Sequence, residues 1–278
     1  MTLILTAITR QSIVQVADMR LTNRRTGRVA DEATAKMVSY AGRFVLSFTG
    51  PAYMGSEPTA QWIASVLSGL TDPARILVAL AQSAQEIVRR YPPAYRGLAI
   101  VGAGWLGDPA SPRPISIQVA NFNFQSGALM SEFQASGSEL DPNEKIRLFA
   151  AGVPLPPGPL AEVEKLMRRR AGRREERPSE FVTMLVRLAR QVAYSNPAVG
   201  TDLLVGSIPG VMRDGGPPIF ETGMSMPLGA PDWRGTTYFH VRRNAMRTTM
   251  PAYAAPGFAE SEASLQFGSA FLGVPQNP

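Results

Sequence analysis

The chain opens with four short apolar runs: TLILTAIT (residues 2–9), SIVQVAD (12–18), KMVSY (36–40) and FVLSFTG (44–50). Each run is rich in β-branched or aromatic residues, and polar residues or glycine separate one run from the next. This pattern is typical of strands that are joined as hairpins. The first fifty residues therefore predict an antiparallel sheet that begins directly after Met1.

Three polar residues of this stretch carry chemistry. Thr2 follows Met1 directly, Asp18 ends the second run, and Lys36 begins the third. Lysine is rare in a chain whose 28 basic residues are almost all arginine. A lysine can lose its proton inside a protein, whereas an arginine cannot. The position of Lys36 therefore indicates a site where a titratable amine is needed.

Composition excludes several kinds of site. The 278 residues are 45% apolar, which is enough for a sizeable core. The absence of Cys excludes disulfides, cysteine nucleophiles and thiolate metal sites. His240 is the single histidine, so a multi-histidine metal site is excluded and a Ser-His-Asp triad would need that residue. No ligand cluster is seen, so we expect no metal and no organic cofactor.

The net charge of +6 comes from arginine-rich patches, notably residues 168–170 and 173–174. Glutamates at 162, 164, 175 and 176 are interleaved with them, so we interpret the patches as solvated helix ends, with polyanion binding as the alternative. No run approaches the roughly 20 apolar residues of a membrane span, and residues 3–8 are too short for a signal peptide. We expect a cytoplasmic protein with no nucleic-acid or membrane partner.

After Gly50 the apolar period becomes helical. Helices are predicted to start at Ser56–Pro58 and at Asp72–Pro73, each with a capping residue before a proline. The remaining predicted elements are strands at 97–102, 114–120 and 128–134, a helical region over 142–194 interrupted by prolines at 154–159 with Ser179 capping its last helix, and a strand at 201–208. This order predicts an α+β protein with antiparallel sheets.

From residue 209 onward Gly, Pro and Met become frequent. Only 219–224 and 236–241 have strand character, and 251–278 show little periodicity. We therefore predict one domain over 1–208 and a C-terminal extension over 209–278. The tail of this extension is either mobile or packed on a neighbouring subunit.

Four features of the first fifty residues form one pattern: Thr2, VADMRLT at 16–22, AKM at 35–37 and SFTG at 47–50. This pattern resembles that of proteasome β-type subunits and their bacterial relatives, which are N-terminal nucleophile (Ntn) hydrolases. Two further matches are ASGS at 135–138, which is similar to the family's Gly-Ser-Gly turn, and AYS at 193–195. The resemblance spans roughly residues 2–208 and implies a four-layer αββα sandwich.

The resemblance also implies a nucleophile. Removal of Met1 would give Thr2 a hydroxyl and a free α-amine, whose pKa of about 7.7–8.0 lets it take the hydroxyl proton near neutral pH. Lys36 would stay charged beside Thr2 and lower the pKa of its hydroxyl, and Asp18 would hold Lys36 in its charged form. This arrangement needs no histidine.

Further roles follow from the same resemblance. The Gly50 N–H would bind the oxyanion, and Ser136 and Ser195 would support the α-amine. The chain departs from the family at Val192, where 20S-type members carry an aspartate, so the support of the amine must differ. The residues that match the first substrate pocket are Leu21, Phe48 and Ala52.

The implied function is a threonine peptidase that cleaves peptides or unfolded chains inside a homo-oligomeric ring, with an ATPase unfoldase as a further partner. Two alternatives stay open. One is an amidohydrolase that uses the same nucleophile on a small amide. The other is a catalytically silent structural or binding subunit of the same fold, in which Met1 is retained.

Overall fold

The computed structural model describes residues 2–23, 26–31, 34–40, 43–68, 70, 72–107, 111–123, 127–155, 157–173, 176–210, 237–241, 247–255 and 259–266, the last three ranges as backbone. The strands are β1 (Leu3–Thr9), β2 (Ser12–Asp18), β3 (Leu21–Thr22), β4 (Val29–Asp31), β5 (Met37–Tyr40), β6 (Phe44–Thr49), β7 (Tyr53–Met54), β8 (Glu57–Pro58), β9 (Ala99–Leu106), β10 (Arg113–Phe122), β11 (Leu129–Glu139), β12 (Ile146–Gly152), β13 (Leu203–Pro209), β14 (Thr237–Val241), β15 (Arg247–Ala255) and β16 (Ala259–Gln266). The α-helices are α1 (Thr59–Leu67), α2 (Pro73–Val88), α3 (Pro157–Arg168) and α4 (Pro178–Ser195), and a 3-10 turn covers Pro93–Tyr95.

Two large sheets form the body of the protein. The five-stranded sheet has the order β12-β1-β2-β13-β14, and the seven-stranded sheet has the order β11-β10-β9-β6-β5-β15-β16. Neighbouring strands are antiparallel except for the short β5–β15 pairing. The predicted α+β class with antiparallel sheets is therefore confirmed. In the part of the chain that the structure describes, no helix is long and apolar enough to cross a membrane.

Strand β1 shows how the layers are built. Its side chains point alternately to the two faces of the sheet. Leu3 and Leu5 belong to a core cluster with α3 and α4, whereas Ile4 and Ile8 belong to a cluster that includes residues of the seven-stranded sheet. A strand buried on both faces reads as a continuous apolar run, as the LILTAIT segment does. A third cluster joins the seven-stranded sheet to α1 and α2 through residues such as Trp62 and Leu80.

A small polar network lies between the two sheets. The buried Gln15 side chain donates to Thr6 Oγ1 at 2.9 Å, and Ser47 Oγ donates to Gln15 Oε1 at 2.7 Å. All three residues are fully buried. Because each partner satisfies the other, the network fixes the relative positions of β1, β2 and β6 at little cost in desolvation.

Strand β12 is the main departure from the sequence prediction. Residues 142–194 were expected to be helical apart from the prolines, but Ile146–Gly152 pairs antiparallel with the whole of β1. The local sequence IRLFAAG contains residues that are common in helices, and seven residues are too few for a period to decide. Since β1 is buried, its backbone groups need hydrogen-bond partners on the edge that faces away from β2, and β12 supplies them.

Several element boundaries also differ. Asp72 caps α2 as predicted, since its Oδ1 accepts a hydrogen bond from Ala74 N at 2.9 Å. Ser56 does not cap α1, whose N-cap is Pro58, and Ser179 lies inside α4, whose N-cap is Arg177. Strand β11 continues to Glu139, beyond its predicted end at 134.

The C-terminal region contributes backbone to both sheets. Strand β14 pairs with β13, and the hairpin β15–β16 meets β5 through Ala254 and Ala255. The strand predicted at 236–241 is present as β14, whereas the one at 219–224 lies outside the described residues. Residues 251–255 and 259–266 were expected to lack regular structure, but a ladder with the neighbouring strand makes them extended.

Arg147 of β12 links the five-stranded sheet to the edge of the seven-stranded sheet formed by β10 and β11. Its guanidinium donates to the β11 carbonyls of Ser138 and Glu139, each at 2.9 Å, and to Ser116 Oγ of β10 at 3.1 Å. It also forms an ion pair with Glu144 at 2.7 Å. One planar cation thus holds β12 of one sheet against β10 and β11 of the other.

Replacing Arg147 with Met is expected to lower the free energy of unfolding by about 1.5–3 kcal/mol, because several charge-assisted hydrogen bonds are lost at a partly buried position. Arg113→Met is the matched control. Arg113 pairs with Glu139 at 2.9 Å but its side chain is 61% exposed, so about 0–1 kcal/mol is expected. Urea denaturation of both variants measures the difference, and equal losses would contradict the role assigned to Arg147.

Candidate functional site

The carboxylate of Asp18 is the centre of a buried polar cluster. Asp18 ends β2 and is fully buried. Its Oδ1 accepts the Leu3 N–H at 2.6 Å, and its Oδ2 accepts Lys36 Nζ at 3.1 Å, the Arg20 N–H at 3.1 Å and the Gly200 N–H at 3.3 Å. The carboxylate therefore joins the start of β1, the start of β5 and the loop after α4.

Lys36 is the cation of this cluster. It is 1% exposed, and its Nζ also donates to the Arg20 carbonyl. Burial lowers the pKa of Lys36 below its ordinary value, and the nearby Arg20 lowers it further, whereas Asp18 opposes both effects. The Lys36–Asp18 pair joins β5 to β2, that is, one sheet to the other.

Thr2 lies at the beginning of β1, beside this pair. It is 5% exposed, and its carbonyl accepts the Val153 N–H at 2.9 Å. The next peptide N–H, that of Leu3, is the one bound by Asp18. Among the described residues the Thr2 hydroxyl has no hydrogen-bond partner, so it is not engaged in holding the fold together.

Gly152 makes the close approach of β12 to Thr2 possible. Its φ is +92°, and a Cβ atom at this position would lie 1.8 Å from the Thr2 carbonyl oxygen. Only glycine is compatible with both the conformation and the contact. The sequence prediction missed this residue, although a glycine between an apolar run and the proline-rich segment at 154–159 is a detectable signal.

Gly200 is a second missed residue. Its N–H reaches Asp18, and a Cβ there would lie 2.8 Å from the Cβ of Arg20. The Arg20 guanidinium in turn donates to the Pro197 carbonyl at 2.6 Å. The loop after α4 is thereby fixed against the end of β2. The only signal in the sequence is a glycine shortly before a predicted strand.

Gly50 has a structural requirement of its own. Its φ is +141°, and a Cβ there would lie 2.6 Å from the Gly97 carbonyl oxygen. The Phe48 N–H donates to the Lys36 carbonyl at 3.2 Å, on the β5 side of β6. Gly50 follows β6 directly, and since N–H directions alternate along a strand, we expect its N–H on the same side as Lys36. Within the described residues this N–H has no partner.

The structure does not bring Ser136 to Thr2. Ser136 is exposed on β11, the outer strand of the seven-stranded sheet, and pairs with Gln118. It lies three strands from β6, which is roughly 14 Å at the normal strand spacing. The ASGS segment is part of a strand, and the turn that does lie against Thr2 is the one at Gly152.

Ser195 also lies outside the cluster. It is exposed at the end of α4, and its hydroxyl donates to the Val192 carbonyl of its own helix at 3.0 Å. Val192 itself is buried in the core between α4 and the five-stranded sheet. The part of this loop that reaches Asp18 is Gly200, five residues further on.

The three residues predicted to line the first substrate pocket differ in their exposure to solvent. Phe48 is 2% exposed and packs in the core with α1 and α2, so it cannot line an open pocket without a rearrangement. Strand alternation explains this, since Ser47 points between the sheets and Phe48 points to the opposite face. Leu21 and Ala52 are half-buried in β3 and before β7.

No family model and no curated protein matches this chain. Solved structures with a similar fold include Anbu (ancestral beta-subunit) from Yersinia bercovieri, which is 13% identical with a TM-score of 0.49 over 75% of this chain and 82% of that one. Another is the Gly-1 mutant of Anbu from Hyphomicrobium sp. strain MC1, which is 17% identical with a TM-score of 0.49 over 74% of this chain and 80% of that one.

These solved structures are Anbu proteins, a family distinct from the one inferred from the sequence. The assignment to the proteasome β-type subunits and their bacterial relatives is wrong. Motifs at Thr2, Asp18 and Lys36 are too few to separate related families. At these identities and TM-scores the likeness assigns no activity, so any function must be inferred from the geometry of the cluster.

Proposed function

We propose that this protein is a hydrolase of amide bonds that uses Thr2 as an N-terminal nucleophile, with peptides as its substrates. Removal of Met1 gives Thr2 its free α-amine. The described part of residues 1–208 forms the hydrolase unit, and we propose that its three core clusters correspond to a four-layer arrangement of helices, two sheets and helices.

The observation that carries this proposal is the buried Asp18–Lys36 pair at the start of β1. A buried ion pair contributes little to stability compared with apolar residues of similar volume, because both charges lose their hydration. Here the pair is linked to the Thr2–Leu3 peptide by the 2.6 Å hydrogen bond from Leu3 N to Asp18. A function in positioning and polarising Thr2 accounts for placing these charges where burial is costly.

The α-amine of Thr2 is the general base of the proposed reaction. It takes the proton of the Thr2 hydroxyl as Oγ1 attacks the carbonyl carbon of the scissile amide. The paired Lys36 cation favours the developing negative charge near the nucleophile, and Asp18 keeps the amine of Lys36 in place. No histidine takes part, in agreement with the single His240 in β14.

The Gly50 N–H is the proposed donor to the oxyanion. It has no partner among the described residues and faces the β5 side of β6, where Lys36 lies. Collapse of the tetrahedral intermediate breaks the C–N bond, and the protonated α-amine of Thr2 gives its proton to the leaving amine. A water molecule then hydrolyses the Thr2 ester and restores the hydroxyl.

A catalytically silent protein of the same fold is the second candidate. The observation that favours it is the position of Ser136 and Ser195, since both serines predicted to support the amine lie outside the cluster. In this case Met1 is retained, and the Asp18–Lys36 pair only fixes the start of β1. The homo-oligomeric ring and the ATPase unfoldase remain predictions, and native mass spectrometry of the purified protein tests the ring.

Replacing Thr2 with Ala tests the proposed function. We expect hydrolysis of peptide reporters to be abolished, because the alanine has no nucleophilic oxygen. Thr2→Ser keeps the hydroxyl and is expected to retain measurable activity. Initial rates on a peptide-amide library, with thermal denaturation as a folding control, compare the two variants. Equal rates for the wild-type protein and Thr2→Ala would eliminate the hydrolase proposal.

A further inference from the structure

The proposed mechanism leaves one role unfilled. The α-amine of Thr2 must be oriented so that its lone pair meets the Thr2 hydroxyl. Ser136 is exposed on β11, and the Ser195 hydroxyl is bonded to its own helix. Neither serine therefore holds the amine in this structure.

Thr49 carries a hydroxyl close to the backbone of Thr2. A Cβ atom added to Gly152 would lie 1.8 Å from the Thr2 carbonyl oxygen and 3.6 Å from Thr49 Oγ1. The Thr49 hydroxyl is therefore beside the backbone of Thr2, where β12 approaches β1. Both residues are largely buried, Thr49 being 9% exposed.

The direction of the Thr49 side chain follows from β6. Ser47 points between the sheets, where its hydroxyl reaches Gln15, and residues two apart in a strand share a face. Thr49 therefore faces the five-stranded sheet, next to Gly50. Ser47 has a partner, whereas the Thr49 hydroxyl has none among the described residues. A threonine hydroxyl without a structural partner is available at the end of β6.

We propose that Thr49 is a positioning residue whose hydroxyl oxygen accepts a hydrogen bond from the α-amine of Thr2. This inference rests on the proposed function, because the amine exists only after Met1 is removed. The bond orients the amine toward the Thr2 hydroxyl, in the role that the sequence assigned to Ser136 and Ser195. It also favours the ammonium form, which appears when the amine has taken the hydroxyl proton.

The charged groups of the adjacent cluster are Lys36 and Asp18, with Arg20 and Asp31 close enough to act on the charge of Lys36. Cations near an amine disfavour its protonated form, and carboxylates favour it. The ends of β6 and β12 that face Thr2 have no charged residue. Substitutions at Thr49 leave all four groups in place, so a change in the pKa of the amine reports on the Thr49 hydroxyl itself.

The test uses proteins that begin at Thr2, released from a cleavable leader, with Thr49→Val, Thr49→Ser or no further change. The pH dependence of carbamylation by cyanate, read as mass on the N-terminal peptide, gives the pKa of the amine. We expect Thr49→Val to lower this pKa by about one unit and kcat/KM for a peptide reporter by about tenfold. Thr49→Ser, which keeps the hydroxyl, is expected to restore both.

An unchanged amine pKa in Thr49→Val would overturn the proposal, whatever the reporter activity. Thr2→Ala is assayed in parallel to separate the two ideas. If Thr2→Ala is inactive and Thr49→Val has the wild-type pKa and rate, only the role of Thr49 fails. If Thr2→Ala is as active as the wild-type protein, the proposed function fails, and the carbamylation result still decides whether Thr49 contacts the amine.

Discussion

Replacing Lys36 with Met is expected to lower the free energy of unfolding by about 3–5 kcal/mol and to remove the hydrolytic activity. The side chain of Met has nearly the same length but no charge. Asp18 would remain buried with the N–H groups of Leu3, Arg20 and Gly200 as partners, but without its cation. Removing one member of a buried pair costs more than the pair contributes.

Lys145→Met is the matched control for this variant. Lys145 is exposed, so its replacement is expected to change the free energy of unfolding by less than about 0.5 kcal/mol. Guanidinium denaturation of both variants measures the losses. A Lys36→Met protein as stable as Lys145→Met would show that the pair does not hold the start of β1.

The difference in unfolding free energy between the wild-type protein and Lys36→Met is expected to change with pH in a defined direction. Because the pKa of Lys36 is lowered in the folded protein, the unfolded chain binds more protons between the folded pKa and the ordinary value of 10.5. The stability of the wild-type protein relative to Lys36→Met therefore rises with pH through that window. A relative stability that falls with pH would mean that Asp18 outweighs burial.

The second large expected effect on stability comes from replacing Gly152 with Ala. The new methyl group would lie 1.8 Å from the Thr2 carbonyl oxygen, and an alanine at φ +92° is strained in addition. We expect a loss of about 3–5 kcal/mol in unfolding free energy, because β12 must move away from β1. Activity is expected to fall as well, since the Thr2–Leu3 peptide would be displaced from Asp18.

Gly172→Ala is the control that separates the cost of backbone strain at positive φ from the cost of the clash with Thr2. Gly172 has a similar φ of +76°, but a Cβ there would have no atom within 4 Å. Its replacement is expected to cost about 1–2 kcal/mol from backbone strain alone. Thermal denaturation and reporter assays of the two variants give the comparison. If both lose the same stability and keep activity, the close approach of Gly152 to Thr2 is not what positions the site.

The sequence predicts the centre of the fold well, and the physical reason is burial. Strands β1, β2 and β6 are packed on both faces, so their apolar and β-branched runs are distinct from the polar turns between them. The spacing of Asp18 and Lys36 marks a pair that the structure brings together at 3.1 Å. Each of these signals is local, within fifty residues of the start.

The largest errors in the predicted fold arise from contacts between distant segments. Strand β12 is determined by the backbone needs of β1, more than 130 residues earlier in the chain, and its own seven residues do not show a period. The resemblance of ASGS at 135–138 assigns the turn to Ser136, whereas the turn beside Thr2 is at Gly152. Gly152 and Gly200 are needed because another backbone segment lies close to each of them. The sequence shows only the glycines and not the segments that approach them.

The most direct test of Thr2 as the nucleophile is the mass and N-terminal sequence of the native protein after reaction with a threonine-directed peptide electrophile. We predict a chain that begins at Thr2 and carries one adduct on that residue, with adduct formation strongly reduced in Lys36→Met. A chain that retains Met1, or an adduct on any residue other than Thr2, would contradict the proposed hydrolase.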